Sequence, residues 1–167
     1  MDWGQDGKAF RAQLVVPEQR QLYDYWLAKA GAETMPRRTD IRPTDIPRLL
    51  PGLSLVEGAV ELRQCRVRLA GTRLRDIYDR EITGLRLAEM DWADKRDYWM
   101  TAYERTLRDG LPTQGVVRGP RVDKEHLVQY WLRLPLRMND TSAGMVLCYD
   151  HFMSASDRVD ELMSVSA

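Results

Sequence analysis

The chain has 167 residues, of which 44% are hydrophobic and 30% are charged. This length fits one domain, and this balance excludes a disordered chain that is poor in apolar residues. The 25 basic and 25 acidic side chains give a formal charge of zero, which excludes a general attraction to nucleic acid or to anionic membranes.

No apolar run approaches the length that crosses a bilayer, and the first residues, MDWGQDGKAFRAQ, lack the apolar core of a secretory signal. We therefore expect a cytoplasmic protein without a membrane span. We assign residues 1–16 to an N-terminal extension of the folded domain.

A helix is predicted from Pro17, which suits a first helical position, to a stop at Gly31. Its apolar stripe is wide and includes Leu22, Tyr25 and Trp26. A stripe of this width indicates more than one neighbour, so the helix packs on its own sheet or on a second copy of the chain. The second alternative makes these three residues candidates for a homodimer or partner interface.

The segment MPRRTDIRPTDIPRLLPG is rich in proline, which predicts a fixed connector with a short helical turn. Several arginines in it could hold an anion, although Asp40 and Asp45 lie between them and also fit a solvated loop of mixed charge. The anion-binding candidates are Arg37, Arg38 and Arg42, with Arg48 nearby.

Alternation in LSLVEGAVELRQCRVRLAG predicts two antiparallel strands that turn near Gly58. Cys65 and Val67 would share a dry face, and Arg66 and Arg68 a wet one. Asp91 then suits the N-cap of a long amphipathic helix, three further strands follow, and residues 153–167 predict a C-terminal helix or tail.

The sequence holds no recognisable catalytic or metal motif. HExxH, paired CxxC, the Walker phosphate loop, GxGxxG and the GxSxG elbow are all missing from it. We assign no catalytic and no metal-binding residue, and we expect Cys65 and Cys148 to be buried and reduced. A small enzyme that uses Tyr103, His126 or Asp150 as an acid or base remains an alternative.

One stretch carries a family resemblance. CRVRLAGTRLRDIYDREITGLRLAEM, together with the upstream LYDYWLAKAG and DIPRLLPGLSLVE, resembles bacterial PAS-domain proteins, and in particular short single-domain ones. The resemblance spans about residues 18–152. Arg68 replaces a common aromatic residue, and Asp79 stands where glycine is common.

The resemblance implies an α+β PAS fold, with a five-stranded antiparallel sheet, helices packed on one face, and flanking helices at both ends. The domain would span residues 17–152, including the N-terminal flanking helix. The implied strands are 53–56, 62–70, 113–118, 127–136 and 145–152, with helices at 72–78 and 92–109.

PAS domains enclose a cavity that holds flavin, haem, small acids or nothing in different relatives. This chain lacks the asparagine-cysteine-arginine motif of the flavin photosensors and a histidine on a covering helix, so neither flavin nor haem is expected. A small organic ligand or a fully packed core remains. The candidate lining residues, which equally fit a plain core, are Leu74, Ile77, Tyr78, Trp99, Tyr103 and Tyr130.

The resemblance also implies a function, namely a stand-alone sensory or regulatory module that acts in trans on an unidentified signalling protein. A small ligand in the cavity would gate it, and no nucleic acid would be bound. The alternatives are the small enzyme and a nucleotide second-messenger binder that uses the segment from Arg37 to Arg48.

Overall fold

A computed structural model describes residues 3–121, 123–138 and 142–157. The expected C-terminal helix within 153–167 falls largely outside the described residues. The helices are α1 (Trp3–Gln13), α2 (Pro17–Ala30), α3 (Thr72–Tyr78) and α4 (Arg96–Asp109). The strands are β1 (Leu53–Glu57), β2 (Arg66–Ala70), β3 (Thr113–Arg118), β4 (Leu127–Arg137) and β5 (Ala143–Ser154).

The five strands form one antiparallel sheet in the order β2-β1-β5-β4-β3. β1 and β5 pair at the centre, so the first and last thirds of the chain meet there. The segment from α3 to α4 crosses one face of this sheet and connects its two edges. The predicted α+β fold with a five-stranded antiparallel sheet is confirmed.

Two elements begin four residues later than predicted. Leu62–Gln64 forms a 3-10 turn, so β2 begins only at Arg66. Another 3-10 turn occupies Ala93–Lys95 and delays α4 to Arg96, so that Asp91 is not its N-cap. The Asp91 carboxylate instead pairs with Arg121 Nη2 at 3.0 Å.

The break between β2 and α3 depends on Gly71, where any side chain would overlap the carbonyl oxygens of Leu50 and Pro51. α3 then ends at Asp79, whose φ of 53° lies in the left-handed region. Aspartate tolerates this region better than most residues, which explains why a common glycine is replaceable there. The Asp79 carboxylate accepts a bond from Arg121 Nη1 at 3.2 Å.

Both faces of the sheet centre are covered. On the inner face, α3 and α4 pack over β1, β5 and β4; on the outer face, α2 packs over Leu132, Leu134 and Leu136 of β4 and Leu147 of β5. The prediction of one dry and one wet face holds in β2 for Val67, which is buried between exposed arginines, and is wrong for β1, where residues 53–56 are all buried. β4 and β5 are likewise buried on both faces. Strands covered on both sides are apolar almost throughout.

The wide stripe of α2 belongs to the protein's own core. Leu22 and Trp26 are 0% and 1% exposed, and Trp26 Nε1 donates to the carbonyl of Pro135 at 2.9 Å. Tyr25 is partly exposed, and its hydroxyl donates to Asp45 Oδ2 at 2.9 Å. Leu22 and Trp26 are therefore wrong as members of the predicted homodimer or partner surface, because the protein's own core buries them. A contact through the partly exposed Tyr25, and the homodimer itself, stay predictions.

We predict that Trp26→Ala lowers the free energy of unfolding by about 3–5 kcal/mol, because it removes a buried ring and leaves a cavity. Denaturant unfolding measures this loss. Leu27→Ala on the same helix, at a side chain that is 38% exposed, is the matched control and should cost under about 1 kcal/mol. A Trp26→Ala chain as stable as the control would contradict the assigned packing.

Candidate functional site

The inner face of the sheet and the helices α3 and α4 enclose a space that we call the inner compartment. Side chains alternate along a strand, so Gln129, Trp131 and Arg133 of β4 all point into it. Cys148 and Asp150 of β5 point the same way. The compartment therefore places polar and charged groups among apolar ones.

An ion pair lies at its centre. Arg133 Nη2 is 3.0 Å from Asp150 Oδ1, Arg133 Nη1 is 3.2 Å from Oδ2, and the two side chains are 4% and 2% exposed. Gln129 Nε2 donates to the same carboxylate at 2.7 Å. Asp150 lies opposite Trp131 in the strand register, which puts Gln129 and Arg133 on either side of it within diagonal reach.

Three aromatic rings surround the guanidinium. Its central carbon lies 5.2 Å from the ring centre of Trp99, 5.3 Å from Tyr103 and 5.6 Å from Trp131, distances at which a cation is attracted to a ring face. Burial lowers the pKa of Arg133, but the Asp150 carboxylate outweighs this effect and holds the pKa well above its ordinary value. The arginine is therefore a permanent buried cation.

The other titratable groups of the compartment stay neutral. Tyr78 accepts a bond from Trp92 Nε1 at 2.9 Å, and the Tyr103 hydroxyl lies 3.8 Å from Cys148 Sγ. Burial raises the pKa of both tyrosines and of the Cys148 thiol. At neutral pH these three groups supply neither a base nor a thiolate nucleophile.

The free space left in the compartment is about 20 Å³. That volume holds about one water molecule. Ion-pair and aromatic side chains contribute to its walls, among them Tyr78, Trp99, Tyr103, Arg133 and Asp150.

The structure brings four of the six candidate lining residues together at this cavity, namely Leu74, Tyr78, Trp99 and Tyr103. Ile77 belongs to the same apolar cluster but lies outside the cavity wall. Tyr130 was assigned wrongly. It lies on the outer face with Val16 and Val128, because it stands between two inward-pointing residues of β4.

Sequence reasoning missed Gln129 and Arg133 as site residues and considered Asp150 only as an acid or base. The pattern of β4 held a usable indication, since Gln129, Trp131 and Arg133 recur at every second position of an otherwise apolar strand. When polar side chains recur at every second position of a buried strand, they all lie on the same face, and this pattern predicts a polar site there.

The remaining candidates lie apart from the compartment. Arg37 and Arg42 are exposed on the proline-rich connector, and Arg38 Nη1 donates to the carbonyl of Ile41 at 3.2 Å. The anion site at these arginines stays a prediction. His126 is exposed ahead of β4, so it does not join the Tyr103 and Asp150 of the enzyme alternative.

Within the part of the chain that the structure describes, no group of three or more histidine, cysteine, aspartate or glutamate residues is placed to hold a metal ion. No helix in the described ranges has the length and apolarity that a bilayer crossing requires. Cys65 and Cys148 are free and buried, which confirms their predicted state, although Cys65 directly precedes β2 and is not part of it.

Comparison with known proteins identifies the fold. A family model described as PAS domain matches residues 14–148. A search of the curated proteins finds no match.

Solved structures give the same result at low sequence identity. A light-oxygen-voltage domain described with a flavin analogue aligns with a TM-score of 0.53 at 10% identity, over 74% of this chain and 92% of that one. A Rhodobacter sphaeroides LOV protein aligns at 0.51 and 16%, over 74% of each chain. VqmA bound to DPO aligns at 0.52 and 12%, over 66% of this chain and 56% of that one. At these identities the likeness shows the fold alone.

A flavin does not fit the inner compartment as it stands. Sites for organic ligands of that size have volumes of about 300–1,000 Å³, whereas this cavity measures about 20 Å³. The Arg133–Asp150 pair and its three rings fill the centre of the space. The charged pair, and not a bound ring system, therefore defines the chemistry of this site.

We predict that Asp150→Asn lowers the free energy of unfolding by about 3–5 kcal/mol, because it leaves the Arg133 cation buried without its counter-charge. Denaturant unfolding measures the loss. The double variant Arg133→Met/Asp150→Leu removes both charges and should recover most of the stability. Glu89→Gln, which breaks an exposed ion pair with Arg86, is the control and should leave the stability nearly unchanged. An equally mild effect of Asp150→Asn would contradict the assigned role.

We predict a loss of stability above about pH 10, the ordinary pKa of tyrosine. Burial raises the pKa of Tyr103 in the folded chain, so its neutral form favours folding. That contribution is complete below the pKa of the unfolded chain and is lost as the pH rises beyond it. Denaturant unfolding at several pH values should show a steeper alkaline loss for the wild type than for Tyr103→Phe. An equal alkaline loss of stability in the wild type and in Tyr103→Phe would contradict the contribution assigned to Tyr103.

Proposed function

The chain belongs to the PAS-domain family, and on this premise we propose that it is a sensory and regulatory module whose output passes through contact with another protein. The family match covers residues 14–148, which include every residue that lines the inner compartment except Asp150. PAS membership supports sensing as the general role.

The observation that carries the proposal is the buried polar network of Gln129, Arg133 and Asp150. Two buried charges cost desolvation free energy, and well-packed apolar residues of similar volume would often be at least as stable. Sequences depart from such rules mainly at functional sites. A charged network beneath α4 is therefore better explained as a sensing element than as packing.

The network also connects separate elements of the fold. Arg133 and Gln129 belong to β4, Asp150 to β5, and the ring of Trp99 on α4 lies against the guanidinium. A change at the carboxylate would therefore reach β4, β5 and the covering helix α4. We propose that a small ligand gates the module through this network. The same fold occurs in a structure described as VqmA bound to DPO, which supports this proposal.

An enzyme is the less favoured function. Tyr103 and Cys148 are held neutral by burial, Asp150 is engaged by Arg133 and Gln129, and His126 lies elsewhere on the surface. Acid-base catalysis needs a titratable group that can reach a substrate. These four side chains do not supply such a group at the compartment.

The test compares the partners of three forms of the protein in extracts of cells that express it, by chemical cross-linking and quantitative mass spectrometry. They are the wild type, the buried double variant Arg133→Met/Asp150→Leu, and the matched surface variant Arg11→Met/Asp24→Leu. The Arg11–Asp24 pair is about half exposed and lies far along the chain from the compartment.

We expect at least one partner whose recovery changes several-fold with the buried variant and not with the surface variant. Circular dichroism first checks that each variant is folded. Identical partner sets for all three forms, or no specific partner for the wild type, would overturn the proposed function.

A further inference from the structure

Three buried polar atoms of the inner compartment have no hydrogen-bond partner among the described residues. They are Trp99 Nε1, Arg133 Nε and Gln129 Oε1. Their residues are 1%, 3% and 2% exposed, and all three line the cavity of about 20 Å³. Because a buried polar atom without a partner is costly, three at one cavity point to a bound group.

The orientation of the Gln129 amide follows from its neighbour. Its nitrogen lies 2.7 Å from Asp150 Oδ1, and the carboxylate, paired with Arg133, can only accept a hydrogen bond. The amide nitrogen must therefore face Asp150, and the Oε1 atom is left as an acceptor. The three atoms thus comprise two N–H donors and one acceptor.

This set selects a particular chemistry. A neutral hydroxyl oxygen can accept from Trp99 Nε1 and Arg133 Nε while it donates its proton to Gln129 Oε1. A carboxylate or phosphate oxygen has no proton for Gln129, and the charge of Arg133 is already balanced by Asp150. A cation cannot accept the hydrogen bonds that Trp99 Nε1 and Arg133 Nε offer.

Size limits the bound group further. A volume of about 20 Å³ admits one water-sized group. A longer molecule can place only a terminal group there and needs the surrounding walls to move apart.

We propose that this cavity is a binding site for one neutral hydroxyl oxygen, which Trp99, Arg133 and Gln129 hold together. The oxygen belongs to a water molecule or to the hydroxyl group of a small organic ligand. A ligand hydroxyl as the source rests on the proposed sensory function, whereas a water molecule does not. The bound oxygen joins α4 to β4, and through Gln129 and Arg133 it touches the Asp150 network.

Nuclear magnetic resonance on the folded chain with ¹⁵N-labelled tryptophan tests the site. Trp99→Phe identifies the Trp99 indole resonance. We expect a dipolar cross peak between the Trp99 Nε1 proton and water. Trp26 is the internal control, because its equally buried indole donates to the Pro135 carbonyl and should show no such peak.

Gln129→Met removes the acceptor and should weaken the Trp99 cross peak several-fold. Gln114→Met, at a glutamine whose amide bonds Gln13 on the surface, should leave it unchanged. A Gln129→Met cross peak as strong as that of the wild type would remove Gln129 from the site.

The second arm titrates the wild type with 1-propanol as a hydroxyl probe. A saturable shift of the Trp99 indole with loss of the water peak, at least tenfold weaker in Gln129→Met, supports a ligand hydroxyl. A water peak that propanol leaves intact supports water as the occupant. A wild type with neither a water peak nor a saturable shift overturns the site. The partner comparison can fail while the water peak persists, so function and site are tested separately.

Discussion

The interaction on which the inner half of this structure depends is the buried pair of Arg133 and Asp150. A guanidinium and a carboxylate are stable there only if their hydrogen-bonding groups are satisfied and water is kept out. Gln129 supplies a further bond to the carboxylate, and three aromatic rings close around the cation. The positions of α4, β4 and β5 therefore all depend on this one pair of charges.

The outer half of the structure sets a second constraint. α2 covers β4 and β5 with Leu22 and Trp26, so this part of the sheet is not offered to another molecule. The compartment and the outer core share β4 and β5. A rearrangement of side chains on one face of these strands can therefore displace side chains on the other face.

Part of the fold was predictable from the sequence. The limits of α3 (Thr72–Tyr78) and β3 (Thr113–Arg118) agree with those that the PAS resemblance implies, and Gly71 marks the start of α3. The site was only partly predictable. Leu74, Tyr78, Trp99 and Tyr103 reach the cavity, whereas Tyr130 does not, since a shift of one residue along a strand reverses the face.

The sequence by itself indicated the apolar faces of α2 and α4, since these depend on neighbours a few residues apart, and the PAS resemblance implied the antiparallel sheet. The helix α1 within residues 1–16 was not predicted. Only the tertiary structure decided that α2 packs on its own sheet and that Arg133 meets Asp150 beneath α4. Both contacts join residues distant in the chain, and their stability depends on burial that no local pattern contains. The closing of the compartment to about 20 Å³ is likewise a result of how side chains of β1, β2, α3, α4, β4 and β5 pack together.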